Sequence, residues 1–239
     1  MIFFAIFVPM LSFTKENYLK TLVQLTVFAD NAQEVGVSSL AKKLSVQPAT
    51  VNDMLRKLKS KSLVNYQKYG KISLTEEGLL QGMEIIRRHR LWETFLYQEL
   101  DFSWDEVHEI AEELEHVHSK KLIDGLDKFL DYPEFDPHGD AIPNEKGEIK
   151  IPYRSTLSEV AIGKSCKVVA VTDESIEFLQ YADKIGLKIN DEVIVVSKEA
   201  FDSLTTIQVG KECHIVSPKF TDNIFVVCNK CGKAKGCSC

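Results

Sequence analysis

Between positions 89 and 116, histidine and glutamate recur at helical spacing: His89 and Glu93 on one segment, then His108, Glu112, Glu115 and His116 on the next. On a helix turning about 100° per residue with His108 at zero, Glu112 falls at about 40°, Glu115 at about −20° and His116 at about 80°. The spacing predicts one ligand face. Imidazole and carboxylate together suit a borderline or hard divalent ion such as Mn, Fe, Co or Zn, and no Cys in this stretch offers a soft thiolate. The competing reading is a solvated acidic helix, because residues 101–145 carry many more Asp and Glu than Lys. Two features weaken it: histidines recur among the acids, and Val107, Ile110, Ala111, Leu114 and Val117 sit beside them rather than on a clean opposite face.

Such ligands need elements to hold them. At 239 residues and 44% hydrophobic, the chain has enough sequence for two or three compact domains. The net charge of −6 is unevenly spread. Residues 37–71 carry Lys42, Lys43, Arg56, Lys57, Lys59, Lys61, Lys68 and Lys71 against a single acid, Asp53, so the first third is basic and fits a polyanionic partner. The cysteines do not form a secreted disulfide pattern: Cys166 and Cys213 stand alone, while Cys228, Cys231, Cys237 and Cys239 crowd the last residues. The opening MIFFAIFVPM is too short to span a bilayer and lacks both a basic start and a small-residue cleavage site, so it reads as a start assigned too early, with Met10 as the true one. A cytoplasmic protein without a membrane partner is expected.

Within the basic third, Lys15 to Ala29 has the period of an amphipathic helix. SSLAKKLS follows as a second helix, then a turn at Val46-Gln47, and Pro48 opens a third helix, PATVNDMLRKLKSK. Leu63 to Lys68 and Lys71 to Leu74 alternate about Tyr69-Gly70 as a hairpin with a basic tip, and Thr75 caps the next helix. Helix, turn, helix and charged hairpin make a winged helix, against the plainer reading of a helical hairpin. Gln47, Pro48, Ala49, Thr50, Asn52, Asp53 and Arg56 lie at the start of its reader helix, where side chains reach base edges and phosphates in a major groove. Lys57, Lys59, Lys61, Lys68 and Lys71 suit phosphates, which set affinity and salt dependence.

These segments together resemble the metal-dependent repressors of the diphtheria toxin repressor and manganese transport regulator type. The likeness runs from Leu11 nearly to the end, through ENYLKTL, LAKKLSVQPATVNDMLRKLKSKSLV, ISLTEEG, RRHRLWETFL, VHEIAEELEHVHS and PEFDPHGDAIP. It implies a mainly α chain with a small all-β domain: a winged helix-turn-helix over 11–75, a helical metal-binding and dimerisation domain over 76–145, a linker over 146–156 and an SH3-like domain of the ferrous transport accessory protein A type over 157–227. It implies a homodimer on a palindromic double-stranded DNA operator, with no small-molecule substrate. A primary metal set would comprise Asn17, Glu112, Glu115 and His116, with His89 beside a second ion. An ancillary set would draw on His89, Glu93 and His108, extended by Glu174 and Glu177. Glu at 112, where iron-type members have Cys, favours Mn2+ with Fe2+ as the alternative. Lys20, where a carboxylate helps build the paired manganese site, disfavours a second adjacent ion.

Beyond Pro133, Pro137, Pro143 and Pro152 the pattern turns to short alternating strands, Cys166 to Val171, Glu192 to Ser197, Thr205 to Val209, Cys213 to Val216 and Asn223 to Val227, as in a small β-barrel. The tail CNKCGKAKGCSC offers Cys228, Cys231, Cys237 and Cys239 to a Zn2+ ion, with a simple thiol tail as the alternative. An enzyme is the rival function. Glu113 and His116 form the Glu-x-x-His element of a di-iron bundle, but no second copy stands on another segment, and Glu112 stands where a zincin needs His.

Overall fold

The computed structural model describes residues 11–29, 34–67, 70–150, 154–173 and 175–228. They form two compact units, one of Met1–His89, Glu113–Ser119 and Pro143–Glu148, the other of Arg90–Glu112, Lys120–Ile142 and Ile149–Cys239. Among the described residues no helix is long and apolar enough to cross a membrane.

The first unit is built on the predicted winged helix. Helix α1 (Phe13–Val23) continues as a wider π turn through Ala29. Helix α2 (Val37–Lys43) and helix α3 (Pro48–Ser60) follow, the latter with Pro48 in its first turn, where a missing N–H costs nothing. Strands β1 (Val64–Tyr66) and β2 (Ile72–Leu74) pair antiparallel, with Val64 opposite Leu74. Thr75 then caps helix α4 (Glu76–Glu99) by accepting from the Gly78 amide at 3.0 Å. A Cβ at Gly78 would lie 1.9 Å from the Leu63 carbonyl, so only glycine lets the helix start this close to the wing. Leu19, Leu22, Leu40, Val51, Leu55, Leu58 and Ile72 interlock as the core.

The second unit holds helix α5 (Val107–Leu114) as far as Glu112, helix α6 (Lys120–Phe129) and the C-terminal sheet. Its strands are β3 (Ser155–Thr156), β4 (Ser165–Val171), β5 (Glu192–Lys198), β6 (Thr205–Val209), β7 (Glu212–Val216) and β8 (Ile224–Cys228). They run antiparallel in the order β3-β8-β4-β5-β6-β7. Bulges between Val168 and Ala170 and between Val195 and Ser197 bend the sheet as a small barrel requires. Helices α7 (Ile176–Lys184) and α8 (Pro218–Asp222) complete it around Val168, Val193, Val195, Ile207 and Val226. A separate core of Leu91, Ile123, Leu126, Leu130 and Ile142 gathers Trp92 and Phe95.

One expectation is corrected here. The single ligand helix through His116 does not form: α5 stops at Leu114, where the Val117 amide turns back to the Leu114 carbonyl at 3.0 Å. Glu115 and His116 occupy a turn assigned to the first unit, whereas His108 and Glu112 belong to the second. Tertiary partners for Glu115 and His116 override the helical period.

Candidate functional site

In the first unit the site begins with α1. Its buried stripe reads Glu16, Leu19, Lys20 and Val23, the i, i+3, i+4, i+7 pattern of a packed helix face, with two charged residues built into it. Buried charges persist only when paired. Lys20 Nζ donates to Glu115 Oε2 at 2.5 Å and lies 3.1 Å from His89 Nδ1, while the same Glu115 oxygen is 2.6 Å from His89 Nδ1. Burial pushes the Glu115 carboxyl up, but the His89 hydrogen bond and the Lys20 charge outweigh it and hold the group below its ordinary value.

One turn earlier, Glu16 Oε2 meets His116 Nδ1 at 2.6 Å, and its Oε1 lies 3.1 Å from His118 Nε2 and 3.6 Å from Arg88. Phe13 stacks on His116 with ring centroids 4.2 Å apart. Burial and the charges of Arg88 and His116 lower the His118 pKa, with Glu16 opposing them. Asn17, expected among the ligands, is exposed, and its neighbour Glu16 is the residue brought to His116.

Helix α4 supplies the rest through four consecutive buried residues, Arg87, Arg88, His89 and Arg90. Successive side chains point about 100° apart, so each finds a different partner. Arg87 donates to the Pro143 carbonyl at 2.9 Å, Arg88 faces Glu16, and His89 faces Glu115. Arg90, in the second unit, donates to the Ala141 carbonyl at 2.5 Å and to Asp140 at 3.0 Å.

The second unit holds another donor group. Glu93 Oε1 lies 3.2 Å from His108 Nδ1, and Glu112 lies 3.5 Å from the other ring nitrogen, largely exposed. His89, also expected in this set, stands one turn before Glu93 on α4. Two residues not anticipated as ligands, Asp136 and His138, place donor atoms within 4.8 Å of Glu93 and of each other, all buried. The loop carrying them is fixed. The His138 and Asp140 amides donate to Asp136 Oδ1 at 2.9 Å each, and His138 Nε2 is 2.8 Å from the Trp104 carbonyl. Gly139, at φ 84°, sits so close to the Val169 carbonyl that a Cβ would lie 1.9 Å from it. Burial, with Glu93 and Asp140 nearby, pushes Asp136 up to about 8, against Arg90 and His138. Buried carboxylates and imidazoles in contact, with no thiolate among them, fit a divalent cation of the Mn or Fe kind in both units. In the first unit, however, the Lys20 ammonium sits against both His89 and Glu115.

Glu177 is exposed in the first turn of α7, and Glu174 lies outside the described residues. So do Cys231, Cys237 and Cys239 and with them the expected tail site, while the backbone of Cys228 ends β8.

At the reader helix, Gln47, Pro48, Ala49, Thr50, Asp53, Arg56 and Lys57 are exposed, as is Lys71 on the wing; Lys68 lies outside the described residues. Asn52 differs from its neighbours. It donates to the Pro48 carbonyl at 2.9 Å and accepts from the Tyr66 hydroxyl, so it ties α3 to β1. Lys59 strengthens that tie by donating to the Tyr66 carbonyl at 2.9 Å. A groove of about 560 Å³ lies along this junction, lined by Ala49, Asn52, Asp53, Arg56, Lys59, Tyr66 and Gln67. Arg56 and Asp53 pair at 2.9 Å, and both remain exposed.

Glu16 and Lys20 were readable in principle: Lys20 falls within the Leu19/Val23 stripe, and extending that stripe one turn toward the start of the helix reaches Glu16. Asp136 and His138 were not, because nothing in DPHG spacing shows that the loop folds back on Glu93.

Three family models match the chain in sequence: the iron dependent repressor N-terminal DNA binding domain over residues 10–72, the iron dependent repressor metal binding and dimerisation domain over 75–144, and the FeoA domain over 155–228. The HTH-type transcriptional regulator MntR of Geobacillus kaustophilus is 30% identical over 117 residues, covering 49% of this chain and 80% of that protein. A probable metal transport system membrane protein of Chlamydia trachomatis is 46% identical over 71 residues, but the match spans 30% of this chain and only 16% of that protein. A manganese-dependent transcriptional repressor solved in complex with manganese superposes with a TM-score of 0.79 at 30% identity, covering 90% of this chain and all of that one. The di-iron enzyme alternative is thereby set aside. The chain belongs to the iron-dependent repressor family of metal-dependent, DNA-binding transcriptional regulators.

Proposed function

We propose that this protein is a divalent-metal-responsive transcriptional repressor that binds DNA as a homodimer, reads a palindromic operator in front of metal-uptake genes and responds to Mn2+ before Fe2+. The observation that carries this reading is the contact of Glu16 with His116 and His118 at 2.6 and 3.1 Å. Glu16 lies on α1, the helix that leads into the reader, and the two histidines follow α5 in the segment matched as metal-binding and dimerising. A cation held there adds charge between a carboxylate and two imidazoles.

The ligand set proposed for the first unit is therefore Glu16, His116 and His118, in which Glu16 takes the part expected of Asn17, while Glu115 and His89 contact Lys20. In the second unit it is Glu93 and His108, with Asp136 and His138. All are O and N donors, which favours Mn2+ or Fe2+ over softer ions. Glu112, mostly exposed beside His108, belongs to the second group.

For the DNA, Gln47, Pro48, Ala49, Thr50 and Arg56 are proposed to face base edges and phosphates, with Lys57 and Lys71 on the backbone. Asn52 positions them through Tyr66. If metal favours the arrangement of α1 that suits DNA, DNA must by reciprocity tighten metal binding. The test is an electrophoretic shift on the protein's own upstream DNA with Mn2+, Fe2+ or Zn2+ under anaerobic conditions. Retardation that needs metal, strongest with Mn2+, is expected; retardation indifferent to metal contradicts the proposal.

A further inference from the structure

Helix α1 presents two opposite charges, one turn apart, to the same short segment: Glu16 to His116 and His118, and Lys20 to Glu115. The second contact has the form of a cation site. A carboxylate oxygen and an imidazole nitrogen, themselves 2.6 Å apart, both lie within hydrogen-bonding reach of one positively charged atom, Lys20 Nζ, at 2.5 and 3.1 Å. Lys20, Glu115 and His89 are all buried, with side-chain exposures of 7%, 1% and 7%. An ion held by His89 and Glu115 would need the space that the ammonium uses, and it would sit against a like charge.

We infer that Lys20 is a built-in cation that replaces one metal ion. It sits against both His89 and Glu115, limits the first unit to one ion beside Glu16, and keeps α1 fastened to the Glu115 turn when no metal is bound. The inference rests on the proposed metal-responsive reading and specifies its stoichiometry. The two α1 contacts then divide the work: Lys20 gives a permanent fastening, and Glu16 gives the one that responds to metal. Lysine suits the permanent role because its charge sits on a single compact atom at the end of a long stem, as a small ion would.

The test counts ions and follows α1 separately, using the full chain. Manganese bound per chain is measured by equilibrium dialysis for the natural protein, Lys20→Glu and Lys20→Met, and hydrogen exchange of the Leu19–Val23 amides is measured after chelation. Lys20→Glu should bind one more Mn2+ per chain than the natural protein. In chelated Lys20→Met, protection of those amides should fall at least about tenfold and return on adding Mn2+, whereas the chelated natural protein stays protected. An unchanged ion count in folded Lys20→Glu overturns the inference. If that variant fails to fold, unchanged protection in chelated Lys20→Met does so. Neither measurement uses DNA, so the metal dependence of operator binding by the natural protein is judged on its own.

Discussion

Lys20 and Glu115, ninety-five positions apart in sequence, meet through a 2.5 Å hydrogen bond in which both charges are almost wholly removed from water. Breaking one member of such a pair leaves the other buried and uncompensated, a heavier penalty than the pair's own net contribution. Glu115→Gln keeps the side chain's shape and removes its charge. It should destabilise the chelated protein by roughly 3 kcal/mol in urea unfolding. A loss within about 0.5 kcal/mol, the range of ordinary surface changes, would mean that this contact does not hold α1.

The assignment within α1 is tested by neighbours. Glu16 faces His116 and His118, whereas Asn17 faces solvent. Glu16→Gln should weaken Mn2+-dependent operator binding at least about tenfold, or about 1.4 kcal/mol, while Asn17→Ala should leave it within about twofold. The reverse order, read from gel-shift midpoints at fixed Mn2+, would return the role to Asn17.

For the reader helix, base contact and phosphate contact separate by salt. Lys71→Ala should weaken binding to all sequences alike and lower the slope of log K against log salt by about one. Thr50→Ala, at the exposed start of α3, should cost about 1–3 kcal/mol on the operator and little on unrelated DNA. Tyr66→Phe removes the hydroxyl that holds Asn52 and should reduce operator affinity without changing the salt slope. Fluorescence anisotropy over a salt series distinguishes the three, and a Tyr66→Phe slope shifted like that of Lys71→Ala would make Tyr66 a phosphate ligand instead.

Loop 136–141 depends on one conformation. Gly139 combines φ 84° with a backbone carbonyl where a side chain would begin. Gly139→Ala should lower stability by more than about 1 kcal/mol and release Asp136 and His138 from Glu93, read as a lowered thermal midpoint and one fewer tightly bound Mn2+. An unaltered ion count in the folded variant would show that the loop carries no ligands.

Much of the fold was legible because local signals agreed with it: Pro48 opens α3, Thr75 caps α4, and the strands from Cys166 to Val227 alternate as a half-buried sheet must. The residue types of the proposed donor groups were legible too, as His and Glu recurring at helical spacing. Their grouping was not. Four residues on one helical arc separate because Glu115 and His116 find charged partners on α1, and a helical wheel contains no information about what lies opposite. Every member of the run Arg87-Arg88-His89-Arg90 is buried, and the partners Pro143, Glu16, Glu115 and Asp140, distant in sequence, explain why.

The account depends on metal strengthening the hold of α1 on the dimerising segment, and operator affinity of chelated against Mn2+-loaded protein measures this most directly. Loaded protein should bind its own upstream DNA at least about a hundredfold more tightly, a coupling of about 2.7 kcal/mol. Equal affinity in the two states would contradict it.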